Sequence, residues 1–396
     1  MSVTVPTQAE FDSLASRVSS VETKVSGLEP RVATLESKVA SLEARVTKLE
    51  QGTTTPPPTT TRRLFAPTSF YNTKLSVSTP LHSNSAGMIK EILRQAVPQN
   101  TNSALPKFNS MAPVYDTPTY DPAIPYYGNV NSTGYTSAAY IITDPATKKQ
   151  PIIIRQNNAD CTWLGAMYER LKAGMRVPAN PTINAGTDGH ICFWDQIDDV
   201  YYEFWQFKAY GTGQWQASFG GIIDNVSNAD GIVPDVLTTW GSMSPTGATA
   251  TSLPLIGGMI KAAEMKAGVI PHCIGFAIPE GPNKFKWPAR RTDGGVQFWE
   301  GPNAIQAGQR FKFPADIYID PNWIPLVKMM VVAIRDYGCV VQDRAGAICY
   351  YAENTAQYGI TDSTAEYRKK ADGTSLQGWQ FMNPNYFPFA KLQALA

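Results

Sequence analysis

The chain has 396 residues, a formal net charge of +1 and a pI near 7.6, so it carries no field that would gather nucleic acid or an anionic membrane. Charged residues make up 17% of it and aromatics 11%, and Gly and Pro contribute 30 residues each, a balance that suits a turn-rich, strand-rich globule. No apolar run approaches the ~18 residues of a membrane helix, and the start MSVTVPTQAEFDS lacks the basic-then-apolar order of a signal peptide, so the expectation is cytoplasmic synthesis without membrane insertion.

Residues 1–51 read as a stalk. Apolar residues recur at alternating spacings of three and four: Phe11, Leu14, Val18, Val21, Val25, Leu28, Val32, Leu35, Val39, Leu42, Val46 and Leu49. These are the a and d positions of a coiled coil, and a rod of that length would extend roughly 60 Å. Cations occupy g (Arg17, Lys24, Arg31, Lys38, Arg45) and anions occupy e (Glu22, Glu29, Glu36, Glu43, Glu50). A parallel arrangement sets each g cation against an e anion of the neighbouring chain, whereas an antiparallel one opposes cation to cation, so the reading is parallel. Val at a with Leu at d leans towards two strands. Three copies of a basic-apolar-x-x-apolar-Glu pattern (Arg17–Glu22, Arg31–Glu36, Arg45–Glu50) resemble the signature of short trimeric coiled coils and move the expectation to a homotrimer. Pro30 falls inside the rod and predicts a local kink with the register kept.

Residues 52–63 carry a Pro/Thr run that favours extended polyproline II, a semi-rigid spacer. Residues 64–396 read as a mainly β head, a β-sandwich with several covering helices. Ala138–Thr143 and Gln150–Arg155 flank one turn. Ile191–Asp195 and Val200–Phe207 read as a hairpin about Gln196–Asp199, with Gln214–Phe219 as its third strand. Cys339–Gln342 and Ala347–Tyr351 read as another hairpin about Asp343–Gly346, across which Cys339 and Cys349 could face each other; reduced buried thiols are the alternative. Helical patterns cover Ser85–Val97, Leu164–Met175, Gly258–Ala267 and Pro325–Tyr337.

Five stretches of the head, Phe65–Asn72, Phe193–Trp205, Gly247–Gly258, Tyr337–Asp343 and Asn385–Leu392, resemble a family of actinobacterial secreted proteins and actinobacteriophage minor tail proteins; Gly247-Ala-Thr-Ala-Thr-Ser-Leu-Pro-Leu-Ile-Gly-Gly258 is the most specific. The resemblance implies a sandwich similar to concanavalin-like lectins and glucanases, and a place at the tip of a phage tail in the virion. It supplies no catalytic residue.

Chemistry in the head is sparse at the level of motifs. Its histidines are His82, His190 and His272, and they form no metal-ligand pattern; no cofactor or metal is expected. His272 lies on an apolar strand, as a catalytic candidate or a satisfied core histidine. Asp195 and Glu203 are the candidate carboxylate pair, beside Trp194, Tyr201, Trp205 and Trp215 as candidate sugar platforms. The alternatives are that Asp195 caps its turn, that Glu203 faces outward, and that the aromatics are core. The tight Glu-x-Asp-x-x-Glu strand of laminarinase-type glucanases is absent, which argues for binding without cleavage. The leading expectation is therefore a trimeric tail fibre, joined to other tail proteins through its N-terminal end and binding host envelope polysaccharide through its head. An envelope-polysaccharide depolymerase and a purely structural tail component are the alternatives.

Overall fold

The computed structural model describes residues 7–9, 12–22, 26, 63–96, 128–132, 136–184, 186–295, 301–376 and 387–396, and the chain divides into two units, residues 1–61 and 62–396. In the first unit residues 12–22 are helical, and Leu14, Val18 and Val21 stand 49–57% exposed along it. The heptad positions from Val25 to Leu49, the kink expected at Pro30 and nearly all of the Pro/Thr spacer lie outside the described residues.

The second unit is mainly β, as its composition suggests. A six-stranded sheet runs in the order Gly128–Asn131, Ile348–Tyr351, Ile274–Ile278, Cys339–Arg344, Arg310–Lys312, Gln393–Ala394. A second sheet runs Phe219–Asp224, Val200–Trp205, Ile191–Asp195, Ala138–Ile142, and a third runs Ala159–Asp160, Ile152–Gln156, Trp215–Ala217, Lys208–Ala209. The sheets are mixed. Gly128–Asn131 is parallel to Ile348–Tyr351, Ile274–Ile278 to Cys339–Arg344, Ala138–Ile142 to Ile191–Asp195, and Trp215–Ala217 to Ile152–Gln156. A sandwich of two antiparallel sheets contains no such pairs, and each of them requires a long crossover. One such crossover carries the helix Pro325–Asp336, whose Leu326, Val327, Met330, Val331 and Ile334 enter the core under the six-stranded sheet together with Met88, Ile89 and Ile92 of the helix Ser85–Gln95.

The hairpin expected about Gln196–Asp199 is present, with Asp195 opposite Val200 and Ile191 opposite Phe204. Its third strand is Phe219–Asp224, while Trp215–Ala217 belongs to the neighbouring sheet. The hairpin expected about Asp343–Gly346 does not form. The strand Ile274–Ile278 inserts between its two arms, parallel to one and antiparallel to the other, because its unbroken apolar run can be buried on both faces at the sheet centre. Cys339 and Cys349 are accordingly on strands separated by a third, and all five cysteines are free. Likewise the strands on either side of Asp144–Lys149 part into different sheets.

Side-chain alternation sends the two faces of the second sheet into different cores. Ile191, Phe193, Tyr202 and Phe204 enter a core shared with the helix Ala166–Ala173, whereas Cys192, Trp194 and Tyr201 enter another shared with Phe65, Tyr71 and Val340. Both faces are thus buried, and the strands read as continuous aromatic and apolar runs.

The Gly-rich end of the 247–258 segment has a steric cause. A Cβ on Gly258 would lie 2.5 Å from Gly275 N and 2.6 Å from Gly275 Cα, and would collide with the Gln342 side chain. Gly258→Ala is therefore expected to destabilise the fold by ~1–3 kcal/mol, as overpacking against backbone does; a chemical-denaturation midpoint equal to that of the parent would refute the packing.

Candidate functional site

The strand that carries Glu203 fixes the wall of the site. Glu203 pairs with Cys192 across the hairpin and is fully buried, on the same face as Tyr201. Its carboxylate accepts the N–H of Ala248 (2.7 Å) through Oε1, and the N–H of Leu255 and the hydroxyl of Tyr201 (2.8 Å each) through Oε2. Burial pushes this carboxyl up, while those three donors and the charge of Arg291 pull it back. Gly247, with φ near +114°, brings its Cα side against Glu203 Oε1, where a Cβ would stand 3.0 Å from that oxygen. Thr251 donates to Gln342 O (2.6 Å), and Gln342 Nε2 donates to Leu253 O and Pro254 O (3.3 and 3.0 Å). The 247–258 segment is thereby pinned to the hairpin on one side and to the strand Cys339–Arg344 on the other.

That pinning opens a cleft of about 1010 Å³ where Trp205, Phe219 and the turn after Asp343 converge. A bulge at Gln342 interrupts the register between Ile274–Ile278 and Cys339–Arg344, so that Val341 pairs with Phe276 and Asp343 with Ala277. Bulges of this kind re-aim a side chain at a sheet end, and here the next residue, Asp343, lines the cleft. Asp343 Oδ1 accepts N–H groups from Arg344 (2.9 Å) and Ala250 (3.3 Å). Burial, then the charges of Asp293 and Asp188, raise this carboxyl to about 7 against those two donors.

Asp188, His190 and Arg291 complete the polar lining. Asp188 Oδ1 accepts the indole N–H of Trp205 at 3.2 Å. His190 is 5% exposed, and burial lowers its imidazole although Asp188 and the Ala248 backbone act the other way. Arg291 donates to Gly247 O (2.8 Å) and Thr249 O (2.5 Å), and its guanidinium lies 4.6 Å over the Phe219 ring. Arg291 has no carboxylate partner within salt-bridge distance among the described residues, and burial lowers its pKa. Trp205 and Phe219 are directly opposite each other on neighbouring strands and half-buried, so the mouth of the cleft has an aromatic edge. Among the described residues no group of His, Cys, Asp and Glu has the arrangement of a metal site.

Of the candidate catalytic and binding residues read from the sequence, Trp205 alone lines this cleft. Asp195 is 2% exposed; its Oδ2 takes the guanidinium of Arg176 (2.8 Å) and its Oδ1 accepts N–H from Ile197 and Asp198 (3.0 and 3.3 Å), which is turn capping. It sits on the opposite face of the hairpin from Glu203 and three residues along, roughly 10 Å away at ~3.3 Å per residue, so the two carboxylates share no site. Glu203 faces inward rather than outward. Trp194 and Tyr201 are core, and Trp215 stacks on Phe207 at 5.0 Å and donates to Gln150. His272 bonds Glu264 (3.0 Å) and Cys273 O (2.9 Å). Burial would raise Glu264, but His272 and Lys261 hold it at about 2, so His272 is a satisfied core histidine. Sequence reasoning missed Asp188, His190, Arg291, Asp293 and Asp343. The one local signal was Asp343 itself, a carboxylate closing the apolar run Cys339-Val-Val-Gln342, which reads equally well as the first residue of a turn.

The role of Glu203 is open to test. Glu203→Gln puts an amide N–H₂ where one backbone N–H now donates, leaving a buried donor unpaired, and is expected to lower stability by ~1–3 kcal/mol. The thermal or denaturant midpoint measures it, and an unchanged midpoint would remove Glu203 as the anchor of the 247–258 segment. Compared with known proteins, the chain matches no family model, no curated protein and no solved structure.

Proposed function

We propose that the protein is a stalked oligomer whose head binds a bacterial envelope polysaccharide in the cleft beside Trp205. The observation that carries this reading is the cleft itself: an aromatic edge of Trp205 and Phe219 next to carboxylates, a histidine and an arginine with no carboxylate partner among the described residues. Sugar rings present apolar C–H faces and a rim of hydroxyls, and such a mixture of ring surface and charged hydrogen-bonding groups suits both. The volume, about 1010 Å³, has room for more than one sugar ring and is of the size of small-ligand sites.

The stalk belongs to the same reading. Leu14, Val18 and Val21 stand half exposed on the helix of a single chain, a bare apolar seam that favours association with copies of itself. The heptads and the g–e charges support a parallel coiled coil, and the three basic-apolar-x-x-apolar-Glu copies favour a trimer. Multivalency would raise weak glycan binding by ~10²–10⁴. With the resemblance to phage minor tail proteins, this supports a tail fibre that is attached at its N-terminal end and meets the host through its head.

Two measurements check this. Sedimentation equilibrium is expected to give a trimer mass, with Leu35→Asp plus Leu42→Asp giving folded monomers; a dimer mass would reject the trimer. The trimer is expected to co-sediment with purified actinobacterial wall polysaccharide, and Trp205→Ala to weaken that binding by the ~0.5–1.5 kcal/mol of an aromatic contact. Undiminished binding by a folded Trp205→Ala protein would move the site elsewhere on the head.

A further inference from the structure

We propose that the cleft hydrolyses glycosidic bonds, with Asp343 as the proton donor and Asp188 as the base for the attacking water; this rests on the glycan-binding reading above. The geometry assigns the two carboxyls different tasks. Asp343 has one oxygen fixed by the N–H groups of Arg344 and Ala250, and nothing among the described residues bonds its Oδ2, which is left for a ligand. Asp188 is oriented by the indole N–H of Trp205, so the ring that would carry a sugar also holds the base. A second observation points independently to a ligand here. His190, only 5% exposed and in the cleft wall, has a buried Nδ1 with no hydrogen-bond partner among the described residues. Buried polar nitrogens are nearly always bonded, and a substrate hydroxyl would supply the missing partner.

In the reaction, the Asp343 carboxylic proton passes to the glycosidic oxygen as the bond from the anomeric carbon breaks, and that oxygen leaves with the electron pair. The oxygen of a water molecule bonds the anomeric carbon, and the proton it sheds goes to the Asp188 carboxylate. One water is consumed, one reducing end appears, and proton exchange with solvent restores both carboxyls.

The surroundings of Asp343 suit a donor. Burial first, then the negative charges of Asp293 and Asp188, raise it to about 7. The cations facing the cleft are Arg291 and Arg344, and Arg344 lies 3.7 Å from the exposed Asp293. His190, Cys349 and Tyr351 are the other titratable groups of the lining, all buried. Since the folded-state value of Asp343 is raised, the acid form persists through the weakly acidic range and is lost as pH rises through about 7. The kcat/KM should therefore fall on the alkaline side of pH 7.

The test uses the full chain and purified actinobacterial wall polysaccharide, scoring reducing ends released and protein bound. The parent protein should release reducing ends, and Asp343→Asn and Asp188→Asn should each lower release by ~10²–10⁴-fold while still binding. Asp343→Glu, which keeps a carboxyl, should recover part of the rate. Binding without release by the parent protein overturns the hydrolase and leaves the binding reading intact, whereas absence of binding overturns both. Products bearing an unsaturated uronate, seen by their ultraviolet absorption, would mean elimination and overturn hydrolysis. Should Asp343→Asn fail to fold, the parent pH profile decides: an alkaline fall in kcat/KM centred near pH 7 supports Asp343, and a flat profile through that range overturns it.

Discussion

A buried carboxylate holds the cleft side of the second unit together. Glu203 lies on a strand whose two faces are both covered, so its carboxyl has no water, and it is tolerated because Ala248 N, Leu255 N and the Tyr201 hydroxyl all converge on it. The two amides come from opposite ends of one loop, which therefore closes around the carboxylate. Everything that lines the cleft on that side depends on this closure. Ala250 reaches Asp343, and the Gly247 and Thr249 carbonyls receive Arg291. A group that looks catalytic in the sequence thus serves as an anchor, and its loop presents the groups that face solvent.

In the cleft Arg344 pairs with Asp293, whereas Arg291 stands among carboxylates without pairing to one of the described residues. Asp188, Asp293 and Asp343 are near enough for their charges to raise Asp343, yet Arg291 spends its hydrogen bonds on backbone carbonyls and its face on Phe219 rather than on a carboxylate. A full ion pair would have favoured the carboxylate form of Asp343. Held on carbonyls, the guanidinium tempers the field.

The parallel pairings account for the position of the cleft. In a purely antiparallel sheet the arms around Asp343–Gly346 would have paired directly and the turn would have been a tight hairpin tip. Inserting Ile274–Ile278 between them spreads the arms apart. The widened connection, with the bulge at Gln342 just before it, forms one rim of the cleft; Trp205 and Phe219, at one end of the second sheet, form the other.

The sequence by itself determined the local features. Turn residues and alternation gave the Gln196–Asp199 hairpin, periodicity gave the helices at Ser85–Gln95 and Pro325–Asp336, and composition gave a mainly β head. These depend on neighbours a few residues apart, so pattern alone reveals them. Strand partners depend on contacts tens of residues apart, and two short apolar runs either side of a turn look the same whether they pair with each other or admit a third strand between them. The same limit applied to chemistry. Asp195 and Glu203 were close in sequence and aromatic in context, but side-chain alternation put them on opposite faces, one capping a turn and the other buried under amides. Asp188, Arg291 and Asp343 come from three separate stretches with no shared motif, and tertiary packing brought them to one cleft.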